Sequence, residues 1–203
     1  ETKLRYNALA IEEVKRCLPM SQNLYQLKVQ LVNSEPPVWR RFQVLSQTPL
    51  DQLHDVIQVV MGWDNESFYQ FIIDDEFYSA SDIEETDQRK DARLFQLGQL
   101  NKRGKTTFLY EYDLSDGWEH EVTVEKIRPI PELDARQLPL CLEGENATPP
   151  EDCGGIFGYY ELMSILKDPT HSAYAEMHEQ YGELNLRAFD LGGINQALKA
   201  LYH

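Results

Sequence analysis

Two stretches concentrate the residues capable of chemistry: YDLSDGWEHEV at Tyr112–Val122 and PPEDCGG at Pro149–Gly155. The first sets Asp113, Asp116, Glu119 and His120 around an Asp-Gly turn, with Trp118 among them. The second places Glu151, Asp152 and Cys153 between a proline pair and a glycine pair. A histidine oriented by an aspartate can act as a general base. Carboxylates gathered at a turn can hold a hard divalent ion for hydrolysis. The competing reading is structural: turn-forming acids, and a buried polar pair that fixes a hairpin.

Other chemistries find less support. His120, Cys141, Cys153 and Asp152 have zinc-ligand side chains, but no Cys-x-x-Cys pair brings two together, and no metal or other cofactor is assigned. Glycines at Gly154 and Gly155, ahead of an expected helix, are a pattern that can cradle phosphate. Here the Lys-Ser/Thr pair of a P-loop is missing and Glu151 and Asp152 would repel an anion, so the segment reads as a turn with acidic caps. Cys153 sits among acids that raise a thiol's pKa, and there is no Gly-x-Ser-x-Gly. His171 and His178 share a side only if one helix spans both, and they read as solvent-facing.

The elements that must position these residues follow from periodicity. Tyr25, Leu27, Val29 and Leu31 alternate with polar neighbours, which predicts a half-buried strand over Leu24–Val32. After Pro36 and Pro37 a second strand is expected over Val38–Leu45. Thr48-Pro49-Leu50-Asp51 is a helix start, with Thr48 as the capping residue, and the helix should end at Gly62. Phe68–Ile73 reads as a strand turning through Asp74-Asp75-Glu76, and the polar Ser79–Arg93 stretch as a mobile loop. Thr106–Leu114 and Trp118–Ile127 form a hairpin through Asp116-Gly117. A two-residue loop would set Asp113 opposite His120; a longer or bulged loop would not. Ile130–Gly155 reads as an irregular, proline-rich connection, followed by helices at Tyr159–Leu166, Ser172–Tyr181 and Ile194–Tyr202. An N-terminal helix over Asn7–Leu18 completes the reading. The organisation expected is a helical appendage over residues 1–22 and a single α+β domain over 23–203. That domain has a mostly antiparallel sheet, one internal helix and a C-terminal helical layer.

At 203 residues, 42% of them hydrophobic, the chain can build a real core. Its net charge of −15 weighs against nucleic acid as a partner. The short basic clusters, Arg40-Arg41 and Lys102-Arg103 with Lys105, read as solvated strand and turn ends. Three irregularly spaced cysteines do not form a disulfide framework. With no apolar run of about 20 residues and no signal-peptide pattern, the expectation is a cytoplasmic protein without a membrane span.

PPVWRR at Pro36–Arg41, LDQLHDVIQVVMGW at Leu50–Trp63, YDLSDGWEHEV, and CLEGENATPPEDCGGIFGY at Cys141–Tyr159 occur in this order. As a set they closely resemble the plasmid pRiA4b ORF-3-like family, over Leu24–Asn195. The resemblance implies a compact α+β domain found among passenger proteins of insertion elements, with no assigned activity. Some members carry a resolvase label, which no recombinase motif here supports. Relatives often show His-x-His where this chain has Ser67 and Tyr69, and a cysteine where it has Thr148; if those serve a metal, this chain has lost ligands. The polar centre shared with the motif is then Asp113, Asp116, His120, Glu151 and Asp152. The leading functional expectation is an accessory or binding domain with an acidic groove for a protein, peptide or small cationic ligand. Trp118, Glu151 and Asp152 are its candidate ligand-binding residues. The alternative is a metal-dependent hydrolase or nuclease using Asp113, Asp116, Glu119 and His120.

Overall fold

The computed structural model describes residues 22–80, 89–100, 106–182 and 184–201. Its strands are β1 (Gln22–Leu31), β2 (Trp39–Leu45), β3 (Tyr69–Ile73), β4 (Glu76–Ser79), β5 (Lys90–Asp91), β6 (Thr107–Tyr112), β7 (Trp118–Ile130) and β8 (Leu140–Glu145). The helices are α1 (Leu50–Met61), α2 (Leu97–Leu100), α3 (Glu132–Ala135), α4 (Gly155–Lys167), α5 (Tyr174–Tyr181) and α6 (Leu191–Ala200). All eight strands join one sheet in the order β5-β4-β3-β6-β7-β1-β2-β8. Every pairing is antiparallel except β4 with β5. The fold class is α+β, as the alternating strand patterns predict.

The longest strand shows how the sequence sorts the two faces. Along β7, Trp118, His120, Val122 and Val124 are buried while Glu119 and Glu121 are exposed. The buried face meets Leu27, Val29 and Leu31 of β1 and Phe42 and Val44 of β2 in the main core. Helix α1 covers that face with Leu50, Leu53, Ile57 and Val60, a 3.6-residue stripe. Burying side chains of this kind stabilises by about 1.5–3 kcal/mol each. Gly62 ends α1 in the left-handed region at φ 84°, its N–H bonding back to the Gln58 carbonyl. Leu24, Ile130 and Ala135 form a second, smaller cluster.

At the β8 edge of the sheet, α6 supplies a side-chain substitute for a further strand. Asn195 Oδ1 accepts the Cys141 N–H at 2.8 Å, and its Nδ2 donates to the Cys141 carbonyl at 2.9 Å.

Several expectations need correcting. Thr48 does not cap α1: the N-cap is Pro49, with no side-chain bond, because Thr48 lies one residue too early and its carbonyl is taken by Leu97 N–H. The Ser79–Arg93 stretch is not wholly a loop. Lys90–Asp91 pairs with β4, a 3₁₀ turn follows at Ala92–Leu94, and Ala92 is fully buried; residues 81–88 lie outside the described set. The proline-rich connection contains β8, which pairs with β2 across a bulge that disguises its period. His171 precedes α5, so no single helix carries it together with His178. The expected N-terminal helix also lies outside the described residues.

Candidate functional site: an acidic groove

The β6–β7 turn decides where the predicted residues go. Asp113 adopts φ 49°, and its Oδ1 accepts the N–H groups of Ser115 at 3.1 Å and Asp116 at 3.3 Å. This local turn takes Asp113 out of the strand. The ladder therefore ends at Tyr112 opposite Trp118, and His120 faces Tyr110, not Asp113. The expected Asp113–His120 hydrogen bond does not form. Asp113 Oδ2 instead accepts from Ser67 Oγ at 3.2 Å. Its hydrogen bonds, that from the Ser115 hydroxyl first, hold its carboxyl below the usual range.

Asp116 also has a structural partner. Its Oδ2 accepts the Gly154 N–H at 3.0 Å and the Gly155 N–H at 3.1 Å, which caps α4 from across the fold. The acidic cap expected from Glu151 or Asp152 is supplied by Asp116. Glu119 is exposed, opposite Glu111, on the sheet face turned away from His120. His120 is fully buried and neither ring nitrogen meets hydrogen-bond geometry. Burial lowers its pKa to about 4, and the backbone at Tyr110 and Trp118 counters only part of this. Of the four residues of the hydrolase expectation, Asp113 and Asp116 share the turn, while Glu119 and His120 lie on opposite faces of β7. Among the described residues no cluster of three or more His, Cys, Asp and Glu side chains could hold a metal.

What the turn does build is one side of a groove. Trp118 donates its indole N–H to the Glu151 carbonyl at 3.2 Å, and Trp63 donates to the Pro149 carbonyl at 3.0 Å. The Trp63 ring stacks on Tyr112 at 5.3 Å and meets His120 edge-on at 5.1 Å. The Tyr112 hydroxyl accepts the N–H groups of Glu66 at 3.0 Å and Ser67 at 3.2 Å, and donates to Glu151 Oε2 at 3.3 Å. The other oxygen of Glu151 accepts the Asp64 N–H. One carboxylate therefore ties the Gly62–Ser67 wall to the Thr148–Asp152 wall. Tyr181 of α5 reaches the Asp152 carbonyl at 3.0 Å and bounds the groove on that side.

The groove is open to solvent along one side and holds about 690 Å³, lined by Asp64, Glu66, Thr148, Glu151, Asp152 and Tyr181 among others; among the described residues no lysine or arginine lines it. Partial burial raises the pKa of Glu151 and the charges of Asp64 and Asp152 add to this, against opposing hydrogen bonds from Asp64 and Tyr112. Of the predicted residues, Glu151 and Asp152 line the groove, Trp118 braces it from behind, and Cys153 stands just beyond. Burial, with the neighbouring charge of Asp116, pushes the Cys153 thiol up to about 11.

Sequence reasoning missed two supports. Arg40 is 3% exposed, not a solvated strand end. Its Nε donates to the Val60 carbonyl at 2.9 Å, and Nη1 to the carbonyls of Trp39 at 2.8 Å and Glu145 at 3.0 Å. Nη2 donates to Thr148 Oγ1 at 3.1 Å. It joins the C-terminal end of α1 to the Thr148 wall, and burial lowers its pKa only to about 10, so it stays charged at neutral pH. Its alternation with Phe42 and Val44 was the available signal. The second is His54. Its Nε2 bonds Asn65 Oδ1 at 2.6 Å, its Nδ1 pairs with the Tyr110 hydroxyl at 2.7 Å, and its ring stacks on Tyr69 at 3.6 Å. This fixes Asn65, at φ 62°, between the groove residues Asp64 and Glu66.

Comparison with known proteins gives the same fold. The chain is 36% identical over 185 residues to the uncharacterized protein y4hQ of Sinorhizobium fredii, covering 90% of this chain and 94% of that one. The crystal structure of MM3350, a protein of unknown function from Methanosarcina mazei Go1, superposes with a TM-score of 0.74 at 30% identity, covering 85% of this chain and 97% of that one. Residues 23–196 match the family described as plasmid pRiA4b ORF-3-like protein. With that match spanning the sheet, both groove walls and most of the C-terminal helical layer, the chain belongs to the plasmid pRiA4b ORF-3-like family.

Proposed function

We propose that this chain is an accessory binding domain whose groove takes a positively charged group from a peptide, protein or small molecule. The observation that carries the reading is the placement of Glu151. It bridges both walls while Asp64, Glu66 and Asp152 line the same space without a basic residue among the described lining. Carboxylates of one sign gathered in a cleft reinforce one another's field and raise the local concentration of cations. The volume lies within the usual range of about 300–1,000 Å³ for small-ligand sites. A plasmid reading frame in the family's description is in keeping with an accessory role on mobile elements.

Calorimetric titration with cadaverine and with a short lysine-rich peptide tests the reading. Saturable binding at low salt is expected, weakened about tenfold in Glu151→Gln, equivalent to about 1.4 kcal/mol. Absence of binding by either probe at millimolar concentration would overturn it.

A further inference from the structure

The sheet has a second face, and helix α1 covers only the first. Along β3 the core takes Tyr69, Phe71 and Ile73, which turns Ile72 to the other side. Tyr78 of β4 and Tyr110 of β6 are buried in the same core, so Phe77 and Leu109 also face outward. The register brings these three together: Ile72 lies opposite Phe77 on one flank and opposite Leu109 on the other. Apolar side chains on both faces are the pattern of strands covered on both sides. Here the outer strip stays open, with Phe77 37% and Leu109 38% exposed. The row continues from Leu109 to Glu121, and the neighbouring row pairs Glu111 with Glu119. Glu119 and Glu121 are exposed and form no ion pair with any described residue.

We propose that this strip docks an amphipathic helix of a partner protein, with apolar side chains on three successive turns and lysine or arginine on the next. Exposed apolar strips rimmed by polar residues mark protein interaction surfaces. The spacing suits a helix laid along the row. Its turns rise about 5.4 Å, close to the roughly 4.8 Å between neighbouring strands, so successive turns meet Phe77, Ile72, Leu109 and Glu121 in order. The carboxylates set the charge of the occupant, since a basic side chain there meets Glu121 with Glu119 and Glu111 beside it. They also weigh against a second copy of this chain, which has a net charge of −15 and carries the same carboxylates on its own strip. None of these residues lines the groove, so the inference stands apart from the cation-binding reading.

Fluorescence anisotropy with labelled synthetic helices of about 18 residues tests the proposal. The designed helix carries leucine on three successive turns of one face and lysine on the turn that follows. One control has the same composition with its leucines spread around the helix; another replaces lysine by glutamate. At low salt the designed helix is expected to bind about tenfold tighter than either control. Leu109→Ser should weaken it about tenfold, and Glu121→Lys should move the preference to the glutamate helix. Glu121 is solvent-facing, so its variant keeps the test readable if Leu109→Ser disturbs the sheet. Cadaverine, the groove probe, should not displace the designed helix. Absence of binding, equal binding of the designed and scrambled helices, or indifference to both substitutions would overturn the proposal. Displacement by cadaverine would also end it, by moving the helix to the groove. So would sedimentation showing dimers of the unmodified chain that Leu109→Ser abolishes, because a second copy would then cover the strip.

Discussion

Asp116 and Gly155 meet across the fold: the aspartate carboxylate accepts the Gly155 N–H at 3.1 Å, and the Asp116 carbonyl stands where a glycine Cβ would be. A Cβ added at Gly155 would lie 2.1 Å from that oxygen, at a φ of 66° that other residues rarely adopt. The hairpin turn and the start of α4 are thus docked through the absence of a side chain. Asp116→Ala should cost about 1 kcal/mol, the usual loss of a helix cap, and lower the melting temperature by about 2–4 °C. Gly155→Ala should cost more, through clash and strain together. An unchanged melting temperature in both would remove this account of the contact.

Arg40→Met should destabilise by about 2–4 kcal/mol in urea unfolding. It strands three backbone carbonyls that lose a charge-assisted partner, although the buried charge itself disappears. Arg40→Lys should fail to restore stability, since one ammonium cannot reach acceptors arranged around a planar fork. Full rescue by lysine would show that charge alone matters at this position.

His120 should tolerate loss of its polarity. Neither ring nitrogen makes a hydrogen bond of good geometry, the backbone at Tyr110 and Trp118 approaching only loosely, so His120→Phe is expected to change stability by less than about 1 kcal/mol or to raise it. Cation binding in the groove should be unaffected. A marked loss of binding with stability retained would return His120 to the functional site.

The two buried histidines also set a pH dependence. The pKa values of His54 and His120 are lowered to about 4 in the fold, chiefly by burial. Between pH 6.5 and 4 the unfolded chain therefore binds more protons than the folded one, and stability falls as pH falls. Over pH 6.5 to 5 the decrease should approach about 2 kcal/mol for each histidine. His120→Phe should flatten the profile by one histidine's share. A flat profile in the unmodified protein would contradict the burial of both rings.

Cation binding should weaken on acidification earlier than an ordinary carboxylate site would. Glu151 has a raised pKa, so it takes up its proton, and loses its charge, at a higher pH than a free glutamate. Calorimetry as the pH is lowered from neutral should show affinity falling sooner in the unmodified protein and a flatter, weaker response in Glu151→Gln. Equal pH dependence in both would place the bound cation away from Glu151.

The legible part of the fold was the part with simple periodicity. Alternation marked β1 and β7, the Leu50–Val60 stripe marked α1, and Asp74-Asp75 supplied the two positive φ angles of the β3–β4 turn, 54° and 64°. Strand β8 was hidden by a bulge and by glycine and glutamate on an edge position. The groove was half legible. Its Pro-Pro-Glu-Asp wall, with Thr148 just before it, stood out by composition, whereas Asp64 and Glu66 became neighbours of Glu151 only through the Asp64 N–H and the Tyr112 hydroxyl, links made across long sequence separations. Asp113 defeated the register argument because its side chain binds its own turn, a local preference that competed with the ladder.

The Asn195 amide that brackets Cys141 has a bearing on self-association. It occupies the N–H and the carbonyl of Cys141, one of the residues another strand would pair with to extend the sheet beyond β8. A chain shortened before α6, or carrying Asn195→Leu, would present that edge to its own copies. Concentration-dependent self-association through strand pairing is the outcome expected of such variants, checked by sedimentation velocity.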